Sequence, residues 1–224
     1  MLDRVTITGA DDNTPVEGLL KLSARFPFVE WGVLVSKSRE GLARYPTRGW
    51  CAEFARAVKD AGNARVSMHV CGAWARQMFA GQLSWTELPL VCRVANRVQI
   101  NGVPESNNPP DWGLRPHIVQ YPQSGGFFDI ATRQYGLNVY PLFDASGGRG
   151  EHAPDTWTDL PEPYVGYAGG ISPDNVEDSV RRITAIRSLP FWIDMEGQVR
   201  DEKDCLDLGK VERVLKICEG LMPA

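Results

Sequence analysis

Short apolar segments recur along the chain, and most of them end at a polar residue or a glycine. Segments of this kind are typical of buried parallel strands, because both faces of such a sheet are covered. The pattern predicts eight strands, over residues 5–8, 31–35, 65–71, 98–101, 118–121, 138–144, 164–168 and 191–194.

Stretches with apolar residues at helical spacing follow several of these segments. They predict helices over residues 15–26, 47–61, 126–135, 174–187 and 208–218. The helix before the last strand is expected to be capped by Ser172 or Asp174. Residues 74–96 are predicted to be helical with interruptions, and only a turn or two is expected near Trp157.

A pattern of one strand followed by one crossover, repeated eight times, is best explained by a closed parallel barrel. Parallel strands need crossover connections, and these connections cover the faces of the sheet. We therefore predict an α/β fold, a (β/α)8 TIM barrel, with residues 1–224 as a single domain. An open doubly wound sheet is the alternative. It would normally carry a glycine fingerprint after the first strand, where only Gly9 is present.

Composition narrows the possible partners. The 224 residues carry a net charge of −4 with scattered Lys and Arg, which argues against a nucleic-acid or anionic-membrane partner and favours a small-molecule substrate. Five cysteines without a CxxC pair suggest neither disulfides nor a zinc site.

The start of the chain lacks an export signal and no apolar run could span a membrane, so we expect a cytoplasmic protein. Phe127 and Phe128 would allow a homodimer as well as a monomer.

Polar residues at the ends of the predicted strands form the candidate site, since barrel enzymes place catalytic side chains at the carboxyl ends of their strands. Side chains two apart on a strand share a face. A ring of polar groups at one mouth is therefore predicted from His69, Cys71, Gln99, Asn101, Asp144, Asp194, Glu196 and the loop residue Arg39. The amides of Gly169, Gly170 and Ser172, ahead of a predicted helix, would form an anion site.

Structural roles compete with each of these functional ones. His69 could be a core histidine, Cys71 a small buried apolar residue, and Asp194 an acceptor for loop amides. Arg39 could be a solvated loop cation. No cofactor is expected, but a divalent metal on a mixed nitrogen and oxygen ligand set is an alternative, using His69, Asp144, Asp194 and Glu196.

Several motifs resemble those of phosphoribosylanthranilate isomerase, the tryptophan-pathway enzyme that performs an Amadori rearrangement of an aminoaldose to an aminoketose. The family's Ala-Gly-Gly-Leu-x-Pro-x-Asn-Val is matched almost letter for letter by Ala168-Gly-Gly-Ile-Ser-Pro-Asp-Asn-Val176. Weaker matches are 6–11 for Lys-Ile-Cys-Gly-Ile-Thr, 36–39 for Ser-Pro-Arg, 98–102 for Val-Gln-Leu-His-Gly, 142–144 for Leu-Leu-Asp and 194–200 for Asp-Val-Ser-Ser-Gly-Val-Glu.

The resemblance implies a barrel isomerase in which Asp144 is the general acid that opens the sugar ring. Thr8 stands where the family has the cysteine that serves as general base, and a threonine hydroxyl does not ionise near neutral pH. His69 or Cys71 would then replace that base. Glu196 lies where the family turn binds phosphate, and its charge would repel a dianion.

The sequence thus predicts an aldose-ketose isomerase or a related proton-transfer enzyme, diverged from the tryptophan-pathway reaction and acting on a small sugar or sugar phosphate. Arg39, Gln99, Asn101, Asp194 and Glu196 would contact the substrate. A non-catalytic ligand-binding barrel is one alternative, which the missing cysteine would explain. A metal-dependent lyase or hydrolase is another.

Overall fold

A closed sheet of eight parallel strands forms the centre of the computed structural model, which describes residues 1–102, 117–121, 138–144, 146 and 157–223. Each strand pairs with the next along the chain, and the last pairs with the first through Leu2 and Phe191. The strands are β1 Leu2–Thr8, β2 Val29–Val35, β3 Arg65–Val70, β4 Arg97–Ile100, β5 His117–Tyr121, β6 Val139–Asp144, β7 Val165–Ala168 and β8 Phe191–Met195. The predicted (β/α)8 barrel is confirmed and the open-sheet alternative is wrong.

The described helices are amphipathic and bury one face each, as α2 does with Trp50, Phe54 and Val58. Their bounds are α1 Val16–Arg25, α2 Arg48–Ala61, α3 Ala73–Phe79, α4 Val176–Ile186 and α5 Leu208–Glu219. Within the described ranges, none of these helices has both the length and the apolar content needed to cross a membrane.

Three of the helix predictions need comment. The stretch over 74–96 is helical only in α3, after which short 3-10 turns form at Trp85–Glu87 and Leu90–Arg93, because a glycine and a proline interrupt the helical hydrogen bonds. The helix predicted over 126–135 lies outside the described residues. Residues 157–160, where a turn or two of helix was expected, have no helical structure.

A cluster of charged residues fills the amino-terminal side of the barrel interior. Glu30 is fully buried and accepts hydrogen bonds from Thr6 Oγ1 at 3.0 Å, Arg97 Nε at 2.8 Å and Arg4 Nη1 at 3.0 Å. The Arg97 guanidinium also stacks 4.4 Å from the centre of the Trp192 ring. We call Arg4, Thr6, Glu30 and Arg97 the basal ion cluster. The strands continue from this cluster to the candidate site at their carboxyl ends.

Gly166 on β7 allows the Trp192 ring to fill the barrel. A Cβ atom at this position would lie 2.2 Å from Trp192 Cε2 and 2.7 Å from Leu142 Cδ1, which no ordinary packing allows. We expect Gly166→Ala to lower the free energy of unfolding by about 1–3 kcal/mol, measured by urea denaturation. Gly197→Ala is the matched control, because a Cβ there meets nothing within 4 Å. Equal effects of the two changes would contradict this account of the packing.

Candidate active site

A cleft of about 730 Å³ opens at the carboxyl ends of the strands. The described part of its lining includes most of the residues predicted for the site, namely Arg39, His69, Gln99, Asn101, Asp144, Gly169, Gly170, Asp194 and Glu196. Cys71 and Ser172 lie close by but do not line it. Polar groups distant in sequence are thus brought to one mouth by the ends of different strands.

Thr8 and Asp194 form a buried hydrogen-bonded pair at the ends of the neighbouring strands β1 and β8. The Thr8 hydroxyl donates to Asp194 Oδ1 at 2.8 Å, and Asp194 is only 8% exposed. Burial raises the pKa of Asp194 to about 7, the nearby Glu196 charge adds to the rise, and the Thr8 hydrogen bond offsets part of it. Asp194 is therefore a carboxyl group that can both take up and release a proton near neutral pH.

His69 reaches the floor of the cleft from β3 and is fully buried. Burial lowers its pKa to about 3, so the imidazole is neutral at physiological pH. Among the described residues, neither ring nitrogen has a hydrogen-bond partner. Such an imidazole is a weak base, although it retains one donor and one acceptor.

Cys71 follows β3 and is held as a thiol. Its sulfur accepts a hydrogen bond from Asn101 Nδ2 at 3.3 Å and contacts the His69 carbonyl oxygen at 3.6 Å. Burial is the main reason that its pKa rises to about 11. At neutral pH the thiolate is scarce, so the surroundings of both Cys71 and His69 are unfavourable for the role of general base.

Asp144 ends β6 on the other side of the cleft. Ser146 donates to Asp144 Oδ1 from both its amide, at 2.9 Å, and its hydroxyl, at 2.8 Å, which fixes the orientation of the carboxyl group. Asp144 pairs with Ala168 of β7, and β7 pairs in turn with β8. Strands two apart are separated by roughly 10 Å, which leaves space for a small molecule between β6 and β8.

Arg44 is a cleft residue that sequence reasoning missed. Its guanidinium, on the loop between β2 and α2, lies 2.8 Å from Glu196 Oε1 and 2.7 Å from Asp204 Oδ1. Arg44 stands in no motif and is joined to these partners only by the fold, so no sequence signal marks it. Because Glu196 is paired, its charge repels an anionic ligand less than the sequence suggested.

The loop after β7 presents two glycine amides. Gly169 and Gly170 have φ of 113° and 64°, values that favour glycine, and among the described residues their N–H groups have no acceptor. The Ser172 amide, in contrast, donates to Asn175 Oδ1 at 2.8 Å. The Ser172 amide, predicted to bind an anion together with the two glycine amides, is thus already hydrogen-bonded.

The predicted helix cap is wrong. Asn175 occupies the position before α4, without a side-chain cap, and its Nδ2 donates to the Gly170 carbonyl at 3.0 Å. Ser172 lies three residues and Asp174 one residue before this position, and the Ser172 hydroxyl accepts a hydrogen bond from the Asp174 amide at 3.3 Å. The Asn175 side chain therefore holds the glycine loop through hydrogen bonds of both its oxygen and its nitrogen.

The metal alternative and the other histidines remain. No group of three or more His, Cys, Asp or Glu residues within the described ranges is arranged to hold a metal ion. His117 begins β5, at the amino end of the barrel, and His152 lies outside the described residues.

The fold and cleft define a parallel (β/α)8 barrel with a polar mouth of the kind found in barrel enzymes. Its structure is similar to phosphoribosyl anthranilate isomerase from Thermus thermophilus, with a TM-score of 0.59 and 20% identity, covering 98% of this chain and 100% of that one. It is also similar to TrpF from Jonesia denitrificans, with a TM-score of 0.62 and 14% identity, covering 97% of each chain.

Phospho-2-dehydro-3-deoxyheptonate aldolase from Thermotoga maritima is also similar, with a TM-score of 0.56 and 13% identity over 98% of this chain and 69% of that one. No protein-family model and no curated protein matches the sequence. At these identities the likeness establishes the fold, and the activity has to be argued from the cleft.

Proposed function

We propose that the chain is an intramolecular isomerase of the aldose-ketose type, acting on a small sugar or sugar phosphate. The observation that carries this proposal is the 2.8 Å hydrogen bond from Thr8 to Asp194. Thr8 stands where the resembling family has its basic cysteine, so the neighbouring strand supplies a carboxyl group beside the place of the missing base. Its pKa of about 7 suits proton abstraction at neutral pH.

In the proposed reaction, ionised Asp194 removes the proton from C2 of the sugar while Asp144 donates a proton to the ring oxygen. The electrons of the broken C2–H bond form a double bond between C1 and C2 as the bond from C1 to the ring oxygen breaks, which gives an open-chain enediol. A proton is then returned to C1 while the C2 hydroxyl loses its proton and becomes the ketone, so two protons are taken, two are given, and no oxidant is needed. Arg39, Gln99 and Asn101 would position the sugar hydroxyls.

An anionic group of the substrate would bind at the rim formed by Gly169 and Gly170. Among the described residues, neither of their amides has an acceptor. Arg39 lines the same cleft and contributes positive charge, while Arg44 offsets part of the negative charge of Glu196. A phosphate or carboxylate at this rim would leave the sugar between the two aspartates.

The test is turnover in D2O, with ribose 5-phosphate and phosphoribosylanthranilate as substrates and proton NMR to follow C2 exchange and ketose formation. We expect Asp144→Asn to lower the exchange rate by about 10²-fold or more, with substrate affinity from calorimetry nearly unchanged. Asp178→Asn, on the exposed face of α4, is the matched control.

Each alternative gives a different result. Binding of either sugar without any exchange in the wild type would identify a non-catalytic barrel. Rapid turnover of phosphoribosylanthranilate by the wild type, unchanged when Asp144 or Asp194 is replaced, would contradict the proposed base and acid. Thr8→Cys restores the family residue and is expected to raise phosphoribosylanthranilate turnover above that of the wild type.

A further inference from the structure

Three buried polar atoms at the floor of the cleft have no role in the proton transfers described above. His69 is 0% exposed, Gln99 is 4% exposed, and the two residues are paired neighbours on β3 and β4. Among the described residues, His69 Nδ1, His69 Nε2 and Gln99 Oε1 lack hydrogen-bond partners. Leaving such buried atoms unpaired costs free energy, so the floor is suited to a ligand that forms hydrogen bonds with them.

A directed chain of hydrogen bonds sets the orientation of the Gln99 amide. Asn101 donates from Nδ2 to the Cys71 sulfur at 3.3 Å, which turns Asn101 Oδ1 toward Gln99. Gln99 then donates from Nε2 to that oxygen at 3.0 Å. Gln99 Oε1 therefore remains on the other side of the amide as an acceptor.

The His69 ring lies next to the Thr8–Asp194 pair because Gly32 separates them without a side chain. A Cβ at Gly32 would be 2.2 Å from Thr8 Oγ1, 2.9 Å from His69 Cε1 and 3.0 Å from His69 Nε2. Both side chains thus converge over the same backbone position. The neutral imidazole brings one N–H donor and one nitrogen acceptor to this place.

We propose that this floor, formed by His69 and Gln99 beside Thr8 and Asp194, binds an uncharged hydroxyl group of the substrate. The inference rests on the proposed function, since it assumes a sugar in the cleft. It adds the orientation of the substrate: a hydroxyl-bearing part lies at the floor and the anionic group lies at the rim of Gly169 and Gly170.

The chemistry of the floor favours a hydroxyl over a charged group. A hydroxyl can donate to Gln99 Oε1 or to the bare imidazole nitrogen, and it can also accept from the imidazole N–H. Ionised carboxylate and phosphate oxygens only accept, so they would face Gln99 Oε1 and ionised Asp194 without a hydrogen bond. An ammonium group only donates and would leave the imidazole N–H unpaired.

The experiment is a titration of protein labelled with nitrogen-15 in its three histidines, using ribose 5-phosphate and inorganic phosphate as separate probes. We expect ribose 5-phosphate to shift both ring-nitrogen signals of His69, assigned with His69→Phe, and phosphate to leave them in place. His69→Phe should weaken ribose 5-phosphate binding about 10-fold, the value of one hydrogen bond, without changing phosphate binding.

Ser67→Ala is the matched control, because it removes another buried and unpartnered polar atom from β3 outside the cleft lining. Gln99→Met provides a second variant if His69→Phe fails to fold, and it should weaken ribose 5-phosphate binding similarly. The proposal would be overturned if ribose 5-phosphate does not bind at millimolar concentration, or if it binds without shifting the His69 signals.

The two proposals fail in different ways. If ribose 5-phosphate binds and shifts the His69 signals but C2 exchange is absent, the isomerase proposal is contradicted and the proposed hydroxyl-binding floor is supported. If C2 exchange occurs without any His69 shift, and the affinity is unchanged in His69→Phe, the hydroxyl-binding floor is contradicted and the isomerase proposal is supported.

Discussion

Replacing Asp194 with asparagine is expected to lower kcat for aldose isomerisation by about 10²–10⁴-fold, the usual contribution of a general base. Asparagine can still accept the hydrogen bond from Thr8, so the geometry is retained while the proton acceptor is lost. In the wild type, kcat should rise as the pH increases through about 7, because Asp194 must be ionised to take the C2 proton. The measurement is kcat for ribose 5-phosphate and phosphoribosylanthranilate between pH 5 and 9.

Asp178→Asn serves as the control for loss of a negative charge, since this carboxylate lies exposed on α4. It should preserve both kcat and its pH dependence. An Asp194→Asn variant with wild-type kcat would show that another group removes the proton. A wild-type rate that falls across neutral pH would instead assign Asp194 the role of acid.

Glu30→Gln is expected to lower the free energy of unfolding by about 3–5 kcal/mol, because it leaves the buried Arg97 guanidinium without its counter-charge. Burial by itself would raise the pKa of Glu30, but Arg97 and Arg4 outweigh burial and hold the pKa below its ordinary value. This stabilisation is present above the ordinary glutamate pKa and is lost as the pH falls through the lower folded-state pKa. Urea denaturation between neutral and acidic pH measures both effects.

The matched control is Glu17→Gln, which removes the same charge from an exposed pair with Lys21 and should leave the urea midpoint unchanged. Adding Arg97→Met to Glu30→Gln should recover part of the lost stability, since the unpaired buried charge is then removed as well. A Glu30→Gln variant as stable as the wild type would show that the basal ion cluster contributes little.

Much of the barrel could be predicted from the sequence because its strands are buried on both faces and leave continuous apolar segments. The strand-ending aspartates, Asp144 and Asp194, and the glycine pair after β7 followed from the same pattern. Parallel strands place all of their carboxyl ends on one side, so these residues meet in the cleft without any contact being known in advance.

The basal ion cluster could not be predicted, since buried charges run against the hydrophobic pattern. The apolar segment was predicted to start at Trp31, whereas β2 begins at Val29 and includes Glu30. The buried pairing of Glu30 with Arg97, 67 positions away, exists only once the barrel has closed. The contact between Arg44 and Glu196, across 152 positions, depends in the same way on the positions of two loops.

The most direct test of the proposed base is a titration of the Asp194 carboxyl carbon by carbon-13 NMR, with its signal assigned by its loss in Asp194→Asn. We predict a midpoint at about pH 7 in the wild type and a higher midpoint in Thr8→Val, because the Thr8 hydrogen bond favours the ionised form. A midpoint near the ordinary aspartate value of about 4 would contradict the assignment of Asp194 as a base poised at neutral pH.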